Sequence, residues 1–166
     1  MNYQKELDKL LSSISEKNKV PNILLHACCA PCSSYVLEYL SRYFAITIFY
    51  YNPNISPASE YAARVGEQER LIEEMNEEFK KAGGRHGICL VKGEYHPEEF
   101  YKAVQGLEQE PEGGKRCTEC FKLRLYEAAR LAKEGGYDFF TTTLTISPLK
   151  DAERLNAIGE AAAGAY

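Results

Sequence analysis

Six cysteines carry most of the chemistry this sequence offers: Cys28, Cys29, Cys32, Cys89, Cys117 and Cys120. Five of them fall in two groups. Cys28-Cys29-Ala30-Pro31-Cys32 sits where a short apolar run gives way to a helical pattern, and Cys117-Thr118-Glu119-Cys120 sits at a loop-to-helix junction. A thiolate is both a nucleophile and a soft metal ligand, and a helix N-terminus stabilises it through unpaired amides and the helix dipole. Two such groups brought together present four thiolates, enough for a structural zinc or an iron–sulfur cluster. Spacing alone leaves both open. Cys29-x-x-Cys32 also fits a thioredoxin-like redox pair, and buried cysteines can serve simply as small apolar residues. Structural zinc sites usually staple small loops, whereas one half of this set follows an apolar strand, and Lys115 and Arg116 stand ready to offset thiolate charge. Cys89, inside Ile88-Cys89-Leu90, reads as a core residue.

Two further segments carry polar groups at positions where they can act. Asn52-Pro53-Asn54-Ile55, followed by Pro57, Glu60, Tyr61 and Arg64, either caps the next helix or binds a polar ligand. Glu60, Arg64 and Glu67 share one helical face, so part of that stretch is a salt-bridged surface. Thr141-Thr142-Thr143-Leu144-Thr145-Ile146-Ser147-Pro148, with Lys150, offers hydroxyls and a cation suited to a phosphate or a sugar edge, or else a strand followed by a helix start at Ser147-Pro148. His26 is placed to fix the thiol loop rather than to catalyse, His86 falls in a glycine-flanked turn, and His96 leads into a helix.

These groups need elements to hold them. Leu7, Leu10, Leu11 and Ile14 mark an amphipathic helix over residues 3–17. Residues 22–27 predict a buried strand after Pro21, Ser33–Leu40 a helix, and residues 45–51 a second strand ended by Asn52-Pro53-Asn54. A long charged helix runs from Pro57 to about Lys81 and stops at Gly83-Gly84. Residues 87–91 predict a third strand, His96–Phe100 the start of a short helix, and residues 106–116 an exposed loop. A helix from Cys117 or Thr118 to about Glu134, a strand over residues 138–143 and a helix over residues 150–163 complete the pattern. Strands alternating with helices imply an α/β fold, a mostly parallel sheet with helices on both faces, in one domain over residues 1–166. Ligands of such sheets bind beyond the carboxyl ends of the strands, where the cysteine, asparagine and threonine segments all emerge.

Composition agrees with a globular chain: 166 residues, 45% apolar, 27% charged, and a net charge of −4. The acidic balance argues against a broad basic nucleic-acid surface while allowing a local basic patch. The residues from Met1 to Lys19 lack an apolar export segment, so the expected compartment is the reducing cytoplasm, where clustered cysteines are ligands or redox groups more often than disulfides.

Taken in order, His26-Ala27-Cys28-Cys29-Ala30-Pro31-Cys32-Ser33, Phe49-Tyr50-Tyr51-Asn52-Pro53-Asn54-Ile55, Arg116-Cys117-x-x-Cys120 and Thr141–Pro148 with Lys150 resemble the QueH-type epoxyqueuosine reductases over nearly the whole chain beyond the first helix. The resemblance implies a Rossmann-like fold akin to the HUP, or adenine-nucleotide α-hydrolase, group. It implies reduction of the epoxide of epoxyqueuosine to queuosine at the wobble position of tRNA. It also implies a [4Fe-4S] cluster on Cys28, Cys29, Cys117 and Cys120, with Cys32 either a ligand of an additional iron or a neighbour. The family continues into a tail with a Cys-Gly-Cys motif, and this sequence ends at Tyr166 without one.

On that reading Tyr51 and Lys150 are candidate proton donors to the opened epoxide, since ring opening leaves an alkoxide. Asn52, Asn54, Ser147, Lys115 and Arg116 are candidate substrate contacts, and Lys115, Arg116, Lys122 and Arg124 form a basic group for tRNA phosphates. Recognition of an unstacked anticodon base suits such an enzyme. The electron donor is left unassigned. Two rivals stand beside this expectation. One is a PP-loop-like nucleotide-binding enzyme, which the glycine-free Cys-Cys-Ala-Pro-Cys turn serves poorly. The other is a non-catalytic α/β module stapled by zinc.

Overall fold

A computed structural model describes residues 3–17, 19–83, 85–144 and 152–166. The order of elements is α1 (Tyr3–Glu16), β1 (Asn22–His26), α2 (Ala30–Leu40), β2 (Ala45–Tyr50), α3 (Ala58–Ala82), β3 (Cys89–Lys92), α4 (Pro97–Ala103), α5 (Lys115–Glu134), β4 (Phe139–Thr142) and α6 (Ala152–Ala165). The four strands form one parallel sheet in the order β3-β2-β1-β4. This is the Rossmann-like α/β architecture that the alternating pattern implies.

Alternation of side chains along the strands builds two cores. Ile23, Leu25, Ile46 and Ile48 point to one face, where Leu11 and Ile14 of α1, Leu37 and Leu40 of α2, and Ile72, Met75 and Phe79 of α3 cover them. Leu24 and Phe49 point to the other face with Tyr51, against Ala128 and Ala132 of α5. Beyond α5, Phe121 and Leu125 pack with Leu144 and with Leu155 and Ile158 of α6. The long helix α3 stops where expected, at Gly83, whose φ of 72° suits glycine. Among the described residues, no helix is long and apolar enough to cross a membrane.

From β1 the chain builds outward through β2 and β3, then returns to place β4 on the opposite side of β1. The strand order therefore reverses between β1 and β4, and the crevice at their carboxyl ends is the expected ligand site of an open α/β sheet. The turn that leaves β1 there is Ala27-Cys28-Cys29.

Three expectations are corrected. Helix α2 begins at Ala30 rather than Ser33, because Pro31 in a first helical turn gives up only an N–H that the helix cannot use. Helix α5 begins at Lys115, so Cys117 and Cys120 both lie within it. Cys89 is exposed rather than core. It pairs with Thr47 at the sheet edge and shares a face with Val91, which is also exposed, while Leu90, of opposite parity, packs into the α2–α3 core. Ser147 and Lys150 fall outside the described residues.

Candidate metal centre

The first half of the site is the turn after β1, and its backbone is tied down at every step. The Tyr50 hydroxyl donates to the Cys28 carbonyl at 3.1 Å. Asn52 Nδ2 donates to the Ala27 carbonyl at 2.8 Å, and Ser33 Oγ to the Cys29 carbonyl at 2.8 Å. Cys29 is the residue just before α2, and Cys32 lies in that helix's first turn. The consequence is a crowded trio: the Sγ atoms of Cys28, Cys29 and Cys32 all lie within 4.8 Å of one another, with Cys28 and Cys29 4.0 Å apart. Cys28 Sγ is also 3.7 Å from Thr143 Oγ1, just past the end of β4. Burial, and then the neighbouring Cys29, push the Cys28 thiol above its ordinary pKa; burial pushes Cys32 up to about 12. Such crowding of soft donors is relieved by a thiophilic cation that pulls the protons off.

His26 is the buried pin under this turn. Its Nε2 lies 3.0 Å from the Tyr51 carbonyl and its Nδ1 3.0 Å from Thr142 Oγ1. Burial, reinforced by the Arg124 guanidinium, lowers its pKa to about 3, so the ring is neutral at ordinary pH. A carbonyl only accepts, which assigns the proton to Nε2 and makes Nδ1 the acceptor of the Thr142 hydroxyl. This is the loop-fixing role expected of it.

The second half rides on α5. Cys117, Cys120, Phe121, Arg124, Leu125 and Ala128 fall on one helical stripe, which faces the sheet and α6. Cys117 Sγ accepts the Gly113 amide at 3.3 Å. Cys120 is buried. Cys117 and Cys28 pack against the same Phe121–Leu125–Leu144–Leu155–Ile158 cluster, so both halves open onto one apolar floor. The sulfurs of Cys117 and Cys120 are nevertheless not part of the 4.8 Å trio.

Arg124 joins the two halves. It is 3% exposed, and its Nη1 donates to Asn52 Oδ1 at 3.2 Å. Asn52 in turn donates to Ala27, which makes a continuous strut from α5 to the thiol turn. Arg124 is therefore not a surface contact for phosphate, and this corrects the expectation. A long basic residue on the buried stripe of an otherwise apolar helix face was the available signal. Asn52, 1% exposed, serves this strut rather than capping α3, whose first turn has Pro57 before it and no side-chain cap.

The other candidates are distributed around this core. Asn54, Arg116, Cys117, Cys120 and Arg124 line a cavity of about 190 Å³ with Phe100, Glu112 and Phe121. Lys115 is exposed in the first turn of α5, and Arg116 Nη1 donates to the Glu108 carbonyl at 3.4 Å. Lys122 is exposed and paired with Glu119 at 3.2 Å. The Tyr51 hydroxyl donates to the Glu99 carboxylate of α4, and burial together with that carboxylate holds it neutral.

Fold and site together define a Rossmann-like α/β protein with a thiol-rich candidate metal centre at its switch point. The family model for epoxyqueuosine reductase QueH matches residues 23–166. Among curated proteins, epoxyqueuosine reductase QueH of Staphylococcus epidermidis is 44% identical over 161 residues, which cover 96% of this chain and 66% of that protein. The Staphylococcus aureus protein of the same name is 42% identical, covering 96% and 65%, and that of Streptococcus pyogenes serotype M1 is 39% identical, covering 96% and 60%. The chain belongs to the epoxyqueuosine reductase QueH family, and it spans about two thirds of the length of these relatives.

Proposed function

We propose that this chain reduces the epoxide of epoxyqueuosine in tRNA to queuosine, with a [4Fe-4S] cluster held by Cys28, Cys29, Cys117 and Cys120. The observation that carries the reading is the pair of thiol groups at the switch point of a chain 39% to 44% identical to proteins named for this activity. The donor set suits such a group. Three sulfurs are already gathered, Cys28 and Cys117 pack against one apolar cluster, Arg124 is a buried cation on the same helix as Cys117 and Cys120, and soft thiolates are the ligands iron–sulfur clusters take. When bound, the cluster supplies the electrons.

The chain's own residues do the rest. Removing the epoxide oxygen consumes two electrons and two protons and releases water, so a proton must reach the ring oxygen. Lys150 and Tyr51 are the donors the sequence offers; Tyr51 serves only if its hydroxyl leaves Glu99. The apolar floor shields one side of the half-buried Cys28 and Cys117 from water. Lys115, Arg116 and Lys122, on the first two turns of α5, supply phosphate contacts beside the site. The cytoplasm, where modified tRNA resides, is the compartment this reading assigns.

Two measurements test it. Protein purified without oxygen should carry iron and acid-labile sulfide in about a four-to-four ratio. Supplied with a chemical reductant and tRNA bearing epoxyqueuosine, it should yield a nucleoside lighter by one oxygen. One tightly held zinc and no sulfide would overturn the reading in favour of a zinc-stapled module.

A further inference from the structure

Glu60, Tyr61 and Arg64 open the long helix α3, and the reductase chemistry described so far uses none of them. Yet α3 is one of two banks of the thiol turn. It covers one face of the sheet and α5 covers the other, and both helices begin at the carboxyl edge, where that turn leaves β1. Lys115, Arg116 and Lys122 stand on the α5 bank, and Arg64 stands on the α3 bank.

Contacts on either side fix where Arg64 lies. Tyr61 packs edge-on against Tyr50, 5.5 Å between ring centroids, and the Tyr50 hydroxyl donates to the Cys28 carbonyl. Two turns further along α3, Gln68 Oε1 lies 3.1 Å from the Ser33 hydroxyl, which is 2.8 Å from the Cys29 carbonyl. Arg64 is three residues after Tyr61 and four before Gln68, so it lies between these contacts on the same side of the helix. The opposite flank is marked by Glu69, whose carboxylate pairs with Lys92 of β3 at 2.9 Å. The flank of Arg64 is therefore the one toward α2 and Cys29. A helical side chain leans back toward the N-terminus, which carries this guanidinium toward the carboxyl edge, and there Nε donates to Glu60 Oε1 at 2.8 Å. Tyr50 and Cys29 both lie within its electrostatic reach.

We infer that Arg64 is a phosphate contact for the RNA substrate, on the bank of the thiol turn opposite α5. The inference rests on the reductase reading and adds to it the path of the RNA backbone, across the thiol turn from Lys115 and Arg116 to Arg64.

The local chemistry suits an anion. A guanidinium is a planar fork of five N–H donors. Glu60 takes the one on Nε, whereas Nη1 and Nη2 have no partner among the described residues, and the side chain is 41% exposed. A carboxylate on Nε fixes the direction of the fork and leaves both Nη groups for two oxygens of one phosphate. An exposed ion pair adds little stability, so the Glu60 pair alone gives no reason to set a cation beside the thiols. Phosphate contacts position a strand and carry no base information, so Arg64 places the wobble nucleotide without reading it. The rival role is to offset the charge of the metal centre from its rim. That role acts through the iron and not through salt-dependent binding.

The test is equilibrium binding of anticodon stem-loop RNA to metal-loaded protein over a range of salt concentrations. Two RNAs of identical sequence are used, one with guanosine and one with queuosine at the wobble position. The proteins are wild type, Arg64→Gln, Arg64→Lys and Arg42→Gln. Arg42 follows the end of α2, away from the carboxyl edge, and is paired with Glu38 at 3.6 Å, so it controls for the loss of one positive charge. Arg64→Gln should bind both RNAs about tenfold more weakly than wild type at low salt. Its plot of log affinity against log salt should be flatter by about 0.7, the share of one phosphate on a single strand. Arg64→Lys keeps the charge and should keep the slope, and Arg42→Gln should match wild type. Iron and sulfide content and the visible spectrum, read on every variant, should be those of wild type.

Unchanged affinity and slope in Arg64→Gln overturn the contact and leave the reductase reading standing. Equal losses in Arg42→Gln show a general effect of charge and also overturn it. Loss of iron or an altered spectrum in Arg64→Gln assigns the arginine to the metal centre, and the contact falls again. Wild type that binds neither RNA overturns the reductase reading, and the contact falls with it.

Discussion

The two thiol groups are built in opposite ways. The Cys28-Cys29-Cys32 group belongs to the sheet: its backbone is bound by Tyr50, Asn52 and Ser33, from β2, the loop after β2, and α2, and its sulfurs are already gathered within 4.8 Å. The Cys117/Cys120 group belongs to a helix. Its two sulfurs are placed by where α5 docks, and α5 docks through its apolar stripe and the Arg124–Asn52–Ala27 strut. One half is thus fixed by short-range hydrogen bonds, whereas the other is fixed by the seating of a whole helix. A metal that needs both halves should be sensitive to changes far from sulfur on the α5 side and nearly insensitive on the sheet side.

The largest effect separates the halves outright. Cys28→Ala and Cys117→Ala should each abolish bound iron and sulfide, measured per chain after anaerobic purification, if all four thiolates are ligands. Retention of metal in Cys117→Ala with loss in Cys28→Ala would break the comparison, because it would make the preformed trio the whole centre.

Next in size is Arg124→Met, which keeps the length of the side chain and removes the strut. It leaves Asn52 Oδ1 buried without its donor, a cost of about 2 kcal/mol in unfolding free energy by urea titration. Because the strut orients both ligand groups from behind, metal affinity measured against a chelator should fall by about 10- to 100-fold, the usual effect of removing a group that supports ligands. Unchanged affinity with the same loss of stability would show that the strut holds the fold and not the centre.

Asn52→Ala should do less to α5 and more to the thiol turn, since it removes the donor to Ala27. Combined with Arg124→Met it forms a cycle. Two residues in one hydrogen-bonded chain should show a coupling of about 1 kcal/mol in stability, whereas independent residues would add. Additivity would mean that α5 is seated by its apolar stripe alone.

The sequence made the sheet side of this site legible and the helix side only partly so, for physical reasons. Cysteines at a strand-to-helix junction are rare enough in chemistry and position to declare themselves, and the strand–helix alternation carries the parallel sheet. Strand order is not local information, which is why Cys89 read as core among apolar neighbours: β3 lies at an edge, and the helix covering Phe49 does not extend over it. Helix α2 begins three residues before the expected Ser33, because its first turn tolerates Pro31. For Arg124, charge suggests the surface and position decides for the interior. Its spacing from Cys117, Cys120 and Ala128 places it inward, and a buried guanidinium requires partners that no local pattern names. Its partner Asn52 lies 72 residues away.

The smallest expected effect settles which sulfurs matter. Cys32 is the third member of the trio, yet it sits on α2 and not on the tied turn, and it is outside the proposed ligand set. Cys32→Ser should therefore leave iron and sulfide content at the wild-type level and change stability by less than about 0.5 kcal/mol, as should Cys89→Ser at the exposed sheet edge. Cys89→Ser is the control for handling and oxidation, because its thiol is far from every other cysteine's role. If Cys32→Ser loses metal while Cys89→Ser does not, the preformed trio is the principal ligand set. The helix-borne pair would then be support rather than half of the centre, and the contrast between a hydrogen-bonded half and a docked half would become one between ligand and scaffold.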